Sequence, residues 1–208
     1  MGKVLKINRL LIILIIACMP VGLQARTRFT WGLEWAYSGV VMDSHNFNYF
    51  TTDGVRVQDS DTFTQIKSCG LFLVNAGLNL GDHFTTAFYT GYTSVYENRK
   101  VIPYSLRMTY LFNGCDNAGW KVFLDAGSAY PLNGSFNRQQ LLIAKAGTGY
   151  RIPIYKSFCL DGFLAVQYAV DHPLEIRDKY TLMNVPTEDL KHSDRNTLGF
   201  VIGFALTL

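Results

Sequence analysis

The stretch that most constrains this chain is its last one, residues 197–208. Leu198, Phe200, Ile202, Phe204, Leu206 and Leu208 share one parity, and Thr197, Gly199, Val201, Gly203, Ala205 and Thr207 share the other. Side chains of a β-strand alternate between its two faces, so one face is wholly large and apolar and the other small or weakly polar. A strand of a soluble sandwich buries its apolar face and offers a polar one to water. Here neither face suits water. Lipid on the large apolar face and a packed interior on the small one suit both. The pattern predicts a transmembrane strand.

The same alternation recurs over residues 29–37, 66–80, 84–92, 104–113, 120–130, 141–151 and 158–170, which makes eight strands. They run from 9 to 15 residues, enough for a tilted strand, which needs about 9–11 to cross the apolar layer. Residues 38–65 and 171–196 lack sustained periodicity and are rich in Asp, Ser, Thr, Asn and Pro, so they read as two long outer loops. Within the first, residues 54–58 can extend the flanking strands. Gly81 with Asp82, and residues 114–119, supply short turns, so loops on one side alternate with turns on the other. The expected fold is all-β, an eight-stranded antiparallel up-and-down transmembrane barrel over residues 26–208.

Composition agrees where it bears on this reading. Charged residues are 17% and aromatics 14%, respectively low and high for a soluble domain. Outward aromatics gather near the expected strand ends: Tyr37, Tyr92, Tyr104, Tyr130 and Tyr168 on the loop side, Trp31, Trp120, Tyr150 and Phe158 on the turn side. Two such rings are expected where an amphipathic side chain meets the boundary between lipid and water. A net charge of +3 with no basic run gives no nucleic-acid partner. Lys3, Lys6 and Arg9 precede an apolar core at residues 10–17, and Ala25 offers a cleavage site, so residues 1–25 read as a secretory signal peptide.

From about Phe29 to Leu208 the chain resembles the small eight-stranded outer-membrane barrels of Gram-negative bacteria. Its final strand is similar to their assembly signal, with Leu208 where Phe is usual. Ile15, Ile16, Ala17 and Cys18 resemble a lipoprotein cleavage box, which leaves an acylated Cys18 as an alternative mature terminus. The resemblance implies a bacterial outer-membrane location, extracellular loops, periplasmic termini and membrane lipid as the surroundings.

Three constellations could carry chemistry. Glu34, Asp125 and Asp161 share the expected lumen with Arg107, Lys121, Lys145 and Arg151. Eight strands leave an interior only wide enough for side chains, and charges there must pair. They read as a structural plug, with a narrow conducting path as the alternative. In the loops, Asp43, Ser44 and His45, and His192, Ser193 and Asp194, bring acid, hydroxyl and imidazole together. Acyl chemistry needs those groups, and small barrels include lipid A modifying enzymes that use them. Cys115 and Cys159 fall at the same end of the barrel, which allows a disulfide. No spacing of Cys or His suits a metal, and no cofactor is expected.

The expected function is a non-enzymatic barrel presenting surface loops, in envelope integrity, adhesion or binding of a surface protein or glycan. The alternatives are a lipid A modifying acyl-transfer or deacylation enzyme, and a narrow pore or subunit of a larger outer-membrane complex.

Overall fold

The computed structural model describes residues 27–51, 54–95, 100–132, 141–155, 158–173, 185–186 and 188–208, without the side chains of residues 65–68. The expected signal peptide with Cys18, the stretch at 133–139 and most of the second long loop lie outside the described residues. Eight strands form one closed sheet: β1 (Arg28–Phe50), β2 (Arg56–Asn79), β3 (Phe84–Ser94), β4 (Lys100–Leu111), β5 (Gly119–Pro131), β6 (Leu141–Tyr155), β7 (Phe158–Asp171) and β8 (Leu190–Thr207). Each pairs antiparallel with its sequence neighbours, and β8 closes the ring on β1 from Gly32 opposite Thr207 upward. Closure leaves no sheet edge in the body of the barrel.

The period-two pattern places the side chains as the strands require. On β8, Leu198, Phe200, Ile202 and Phe204 are exposed while Thr197, Val201 and Ala205 are buried. The exposed set continues around the wall with Trp35, Phe72, Phe88, Leu106, Leu124 and Val166. A belt of exposed apolar side chains is stable only against lipid. Trp120 and Tyr150 meet edge to face at 5.5 Å on that outer wall. Inside, Leu71, Leu73, Phe123, Phe163 and Val201 pack at mid-height, and Val101, Leu141 and Ile143 form a second apolar cluster. At the turn end, Gly81 and Gly114 take φ of 104° and 91°, the left-handed region that favours glycine.

The structure departs from expectation above this belt. Residues 38–65 are not a loop: β1 runs on to Phe50 and β2 begins at Arg56, paired in register down to Phe50 opposite Arg56. β8 likewise begins at Leu190, inside the stretch expected as the second loop. β4 starts at Lys100 rather than after Pro103, and β6 passes Pro153 to end at Tyr155. On β1 the reason is a β-bulge at Val41, where β1 has one residue more than β8. Glu34, Ala36, Ser38 and Val40 are buried on one parity, Val41 and Met42 are both exposed, and then Asp43, Phe47 and Tyr49 are buried on the other. One extra residue flips every side chain beyond it, so a single alternating template loses the strand there.

β2 pairs with β3 only up to Leu71 opposite Thr93, and β7 with β8 only up to Asp171 opposite Arg195. Above that rim β8, β1 and β2 continue as a three-stranded sheet, the head. At about 3.3 Å per residue, residues 43–50 of β1 alone extend roughly 25 Å.

Candidate functional site

The lumen and the head are the two places where polar chemistry collects, and they differ in character. In the lumen, Arg107 of β4 reaches across to Glu34 of β1, with Nη1 donating to Oε2 at 2.5 Å and Nη2 to Oε1 at 3.2 Å. Its Nε and Nη2 also donate to Asp125 Oδ2 at 3.1 and 2.9 Å. Aromatic faces enclose the guanidinium, Tyr89 at 3.9 Å and Phe123 at 4.5 Å from ring centroid to Cζ. Planar delocalised charge is the kind that both a carboxylate fork and an aromatic face accept. Lys145 Nζ lies 3.9 Å from Asp125.

A second group lies nearer the turn end. Asp161 receives Arg151 Nε and Nη2 at 2.8 Å each and Lys121 Nζ at 2.8 Å. Arg151 Nη1 donates to the carbonyl of Cys115 at 3.0 Å, tying the β4–β5 turn to the lumen wall. All seven charged residues are buried. Together with Phe123, Phe163 and Tyr89 they fill the cross-section, so the interior is packed rather than open.

Cys115 and Cys159 stand as free thiols, both buried. They line one recess of about 310 Å³ with Arg28, Asp116 and Arg151. Burial pushes the Cys115 thiol up from its ordinary value, which holds it protonated.

The head divides the two sequence triplets between its faces. Asp43, His45 and Ser193 point to the inner side and Ser44, His192 and Asp194 to the outer, because alternate residues of a strand face opposite ways. Inside, Arg195 of β8 forms a bidentate pair with Asp43 of β1, Nε to Oδ1 at 2.8 Å and Nη2 to Oδ2. His45 Nε2 lies 3.1 Å from Ser193 Oγ, in hydrogen-bond contact. Burial and the nearby Arg195 lower the His45 pKa, keeping the ring neutral. This contact joins a hydroxyl and a base, and Ser193 is itself buried. Outside, Asp194 bridges two imidazoles, His172 Nδ1 at 2.5 Å and His192 Nε2 at 2.7 Å.

Phe47, Tyr49 and Val185, with Val57 and Leu190 against them, form a small apolar cluster on the inner face of the head. Phe50 N donates to the Asp189 carbonyl at 3.0 Å. The head is therefore folded on its β8 side. Sequence reasoning missed this unit. The signal that could have found it is the alternation of His45, Phe47 and Tyr49 with Ser44, Asn46 and Asn48, once a one-residue phase shift is allowed.

No family model matches the chain, and no curated protein matches it. Solved structures do. The outer membrane protein OprG from Pseudomonas aeruginosa is 11% identical over 90% of this chain and 99% of its own, with a TM-score of 0.50. AlkL, an outer membrane protein solved in lipid bilayers, is 10% identical over 91% and 94%, with a TM-score of 0.40. Ail, the attachment invasion locus protein of Yersinia pestis, solved with the heparin analogue sucrose octasulfate, is 12% identical over 86% and 99%, with a TM-score of 0.36. The likeness is one of fold: the chain is a small eight-stranded barrel of the outer-membrane kind.

Two outcomes follow from these contacts. Arg107→Ala removes the buried partner of Glu34 and leaves Asp125 with Lys145 alone, which costs about 3–5 kcal/mol; urea titration of the refolded barrel, read by heat-modifiable gel mobility, gives the loss. The lowered pKa of His45 stabilises the head fully above the ordinary histidine value, and that contribution is lost as pH falls through the depressed folded value. Hydrogen-exchange protection at residues 43–50, corrected for intrinsic rate, therefore falls between pH 7 and 5.5, and His45→Gln flattens that fall.

Proposed function

We propose that the protein is a non-enzymatic surface barrel of the bacterial outer membrane whose task is partner binding by the head. The observation that carries this reading is the division of labour in the fold. The barrel body is filled by paired charges and apolar rings, while β8, β1 and β2 carry a folded sheet well beyond the belt. A rigid scaffold that lifts a recognition surface clear of lipid is the usual arrangement for surface binding. In this orientation the short turns and the chain termini face the periplasm and the head faces outward. Membrane lipid surrounds the belt, with Tyr37, Tyr92, Tyr104, Tyr130 and Tyr168 at the outer boundary and Trp31, Trp120, Tyr150 and Phe158 at the inner one.

The charge of the head narrows the partner. Among the described residues of 43–63 and 171–195, seven carboxylates stand against three Lys or Arg. Such a surface repels sulfated glycans and anionic lipid headgroups and favours a cationic protein partner.

The test is excision. A variant in which residues 43–63 are replaced by a short Gly-Ser turn keeps every belt residue and should refold as a barrel. Cells displaying the full protein are expected to adhere to surfaces coated with basic extracellular proteins several-fold more than cells displaying the headless barrel. Equal adherence would overturn the reading. Lipid A mass profiles should be identical for the two strains; an acyl chain gained or lost would instead assign the His45–Ser193 contact to acyl chemistry.

A further inference from the structure

Beyond the rim bulge, the parity of β1 turns Asn46 and Asn48 to the outer face of the head. Asn46 stands opposite Ser60 of β2 and Asp194 of β8, and Asn48 stands opposite Gln58 and His192. Asn46, Asn48, Gln58, Ser60 and His192 border a groove of about 550 Å³, with Phe47 and Asp59 between their rows. That volume falls inside the roughly 300–1,000 Å³ of small-ligand sites. Asn46, Gln58, Ser60 and His192 are exposed. β1 is paired in register to β2 on one side and to β8 on the other, so the groove rests on a backbone held from both sides.

We infer that this groove binds a neutral oligosaccharide, a conclusion that rests on the surface-binding reading above and adds a ligand of another class to it. An Asn or Gln amide presents a carbonyl acceptor and two N–H donors in one plane, and a Ser hydroxyl both donates and accepts. The neighbouring hydroxyls of a sugar ring donate and accept in the same way, so one amide can engage two of them. Two of the groups are oriented in advance. Arg56 Nε donates to Asn48 Oδ1 at 3.1 Å, which holds that amide. His192 Nε2 lies 2.7 Å from Asp194 Oδ2, which holds the imidazole. Such preorganisation lowers the entropy lost on binding.

The groove suits an ion or a peptide strand less well. Among the residues that border it Asp59 is the one carboxylate, and its Oδ1 accepts the Ser60 N–H at 2.9 Å. Asp43, Asp59 and Asp61 share the opposite parity, so the groove is distinct from the acidic side of the head. The N–H and C=O groups of β1 here are shared between β2 and β8, which leaves the face no ladder for an added strand. Side chains alone make the contact, and they are neutral amides, a hydroxyl and an imidazole.

The experiment passes the full barrel, refolded in lipid nanodiscs, over an array of immobilised neutral di- to tetrasaccharides of hexoses and N-acetylhexosamines, with sulfated counterparts beside them. At least one neutral glycan is expected to be retained, with little change on added salt, because no ion pair is involved. Its sulfated counterpart should bind more weakly. Asn46→Ala with Gln58→Ala is expected to weaken retention at least about tenfold and to leave heat-modifiable mobility unchanged, since both side chains are exposed. Retention of no neutral glycan would overturn the inference. Retention that the double variant leaves unchanged, or a preference for the sulfated counterparts, would overturn it as well. Dephosphorylated lipopolysaccharide core on the same array separates the sources: its retention assigns the sugar to the cell's own envelope, and retention of the other neutral glycans alone assigns it to a foreign surface. If the array fails while the headless strain still loses adherence, only the glycan site falls; if adherence is also unchanged, the surface-binding reading falls with it.

Discussion

The rest of the molecule depends on the Arg107 guanidinium at the centre of the lumen. An unpaired charge at that depth costs several kcal/mol, and here the cost is offset by two carboxylates from different strands and by the aromatic faces of Tyr89 and Phe123. Glu34 lies on β1 and Arg107 on β4, so the bond spans the barrel rather than one strand pair. Asp125 on β5 receives the same guanidinium from the adjoining strand. The pair therefore crosslinks the wall across the lumen, and the Asp161 group with Arg151 and Lys121 ties the neighbouring strands β5, β6 and β7 together nearer the turns. A barrel filled in this way gains rigidity at the cost of open space beside the Arg107 group.

That exchange leaves recognition to whatever stands outside the filled body. The bulge at Val41 makes the head possible. It turns the parity of β1 so that Asp43, Phe47 and Tyr49 face one side, where Arg195, Ser193 and Val185 can meet them. Without the shift those positions would turn outward and the polar Ser44, Asn46 and Asn48 inward. A rim bulge that re-aims side chains is a recurrent use of such irregularity. The result is a three-stranded sheet that carries, among its described residues, more carboxylates than cations.

The barrel was legible in the chain because lipid imposes a strict period of two. Leu198 to Phe204, Leu106 to Tyr110 and Val122 to Leu124 alternate with small or polar neighbours without interruption, and each such run became a strand with its apolar side exposed. The same alternation put Glu34, Arg107, Lys121, Asp125, Lys145, Arg151 and Asp161 on inward positions, but it carried no information on which acid meets which base. That depends on barrel stagger, which places Arg107 within reach of Glu34, a strand it does not pair with. The head was not legible. Its strands face water on one side and a thin apolar cluster on the other, so hydropathy is weak, and one bulge breaks the period where strand meets rim. His45 and Ser193, far apart in sequence, were brought together by that same register.

The measurement that reaches the centre of this account is single-channel recording of the refolded protein in planar bilayers. A lumen closed by the Glu34, Arg107 and Asp125 group predicts a silent membrane at neutral pH, with no stepwise current at moderate voltage. Reproducible ohmic steps from the intact protein would contradict it, since they require a continuous water path where the structure places paired charges and packed rings.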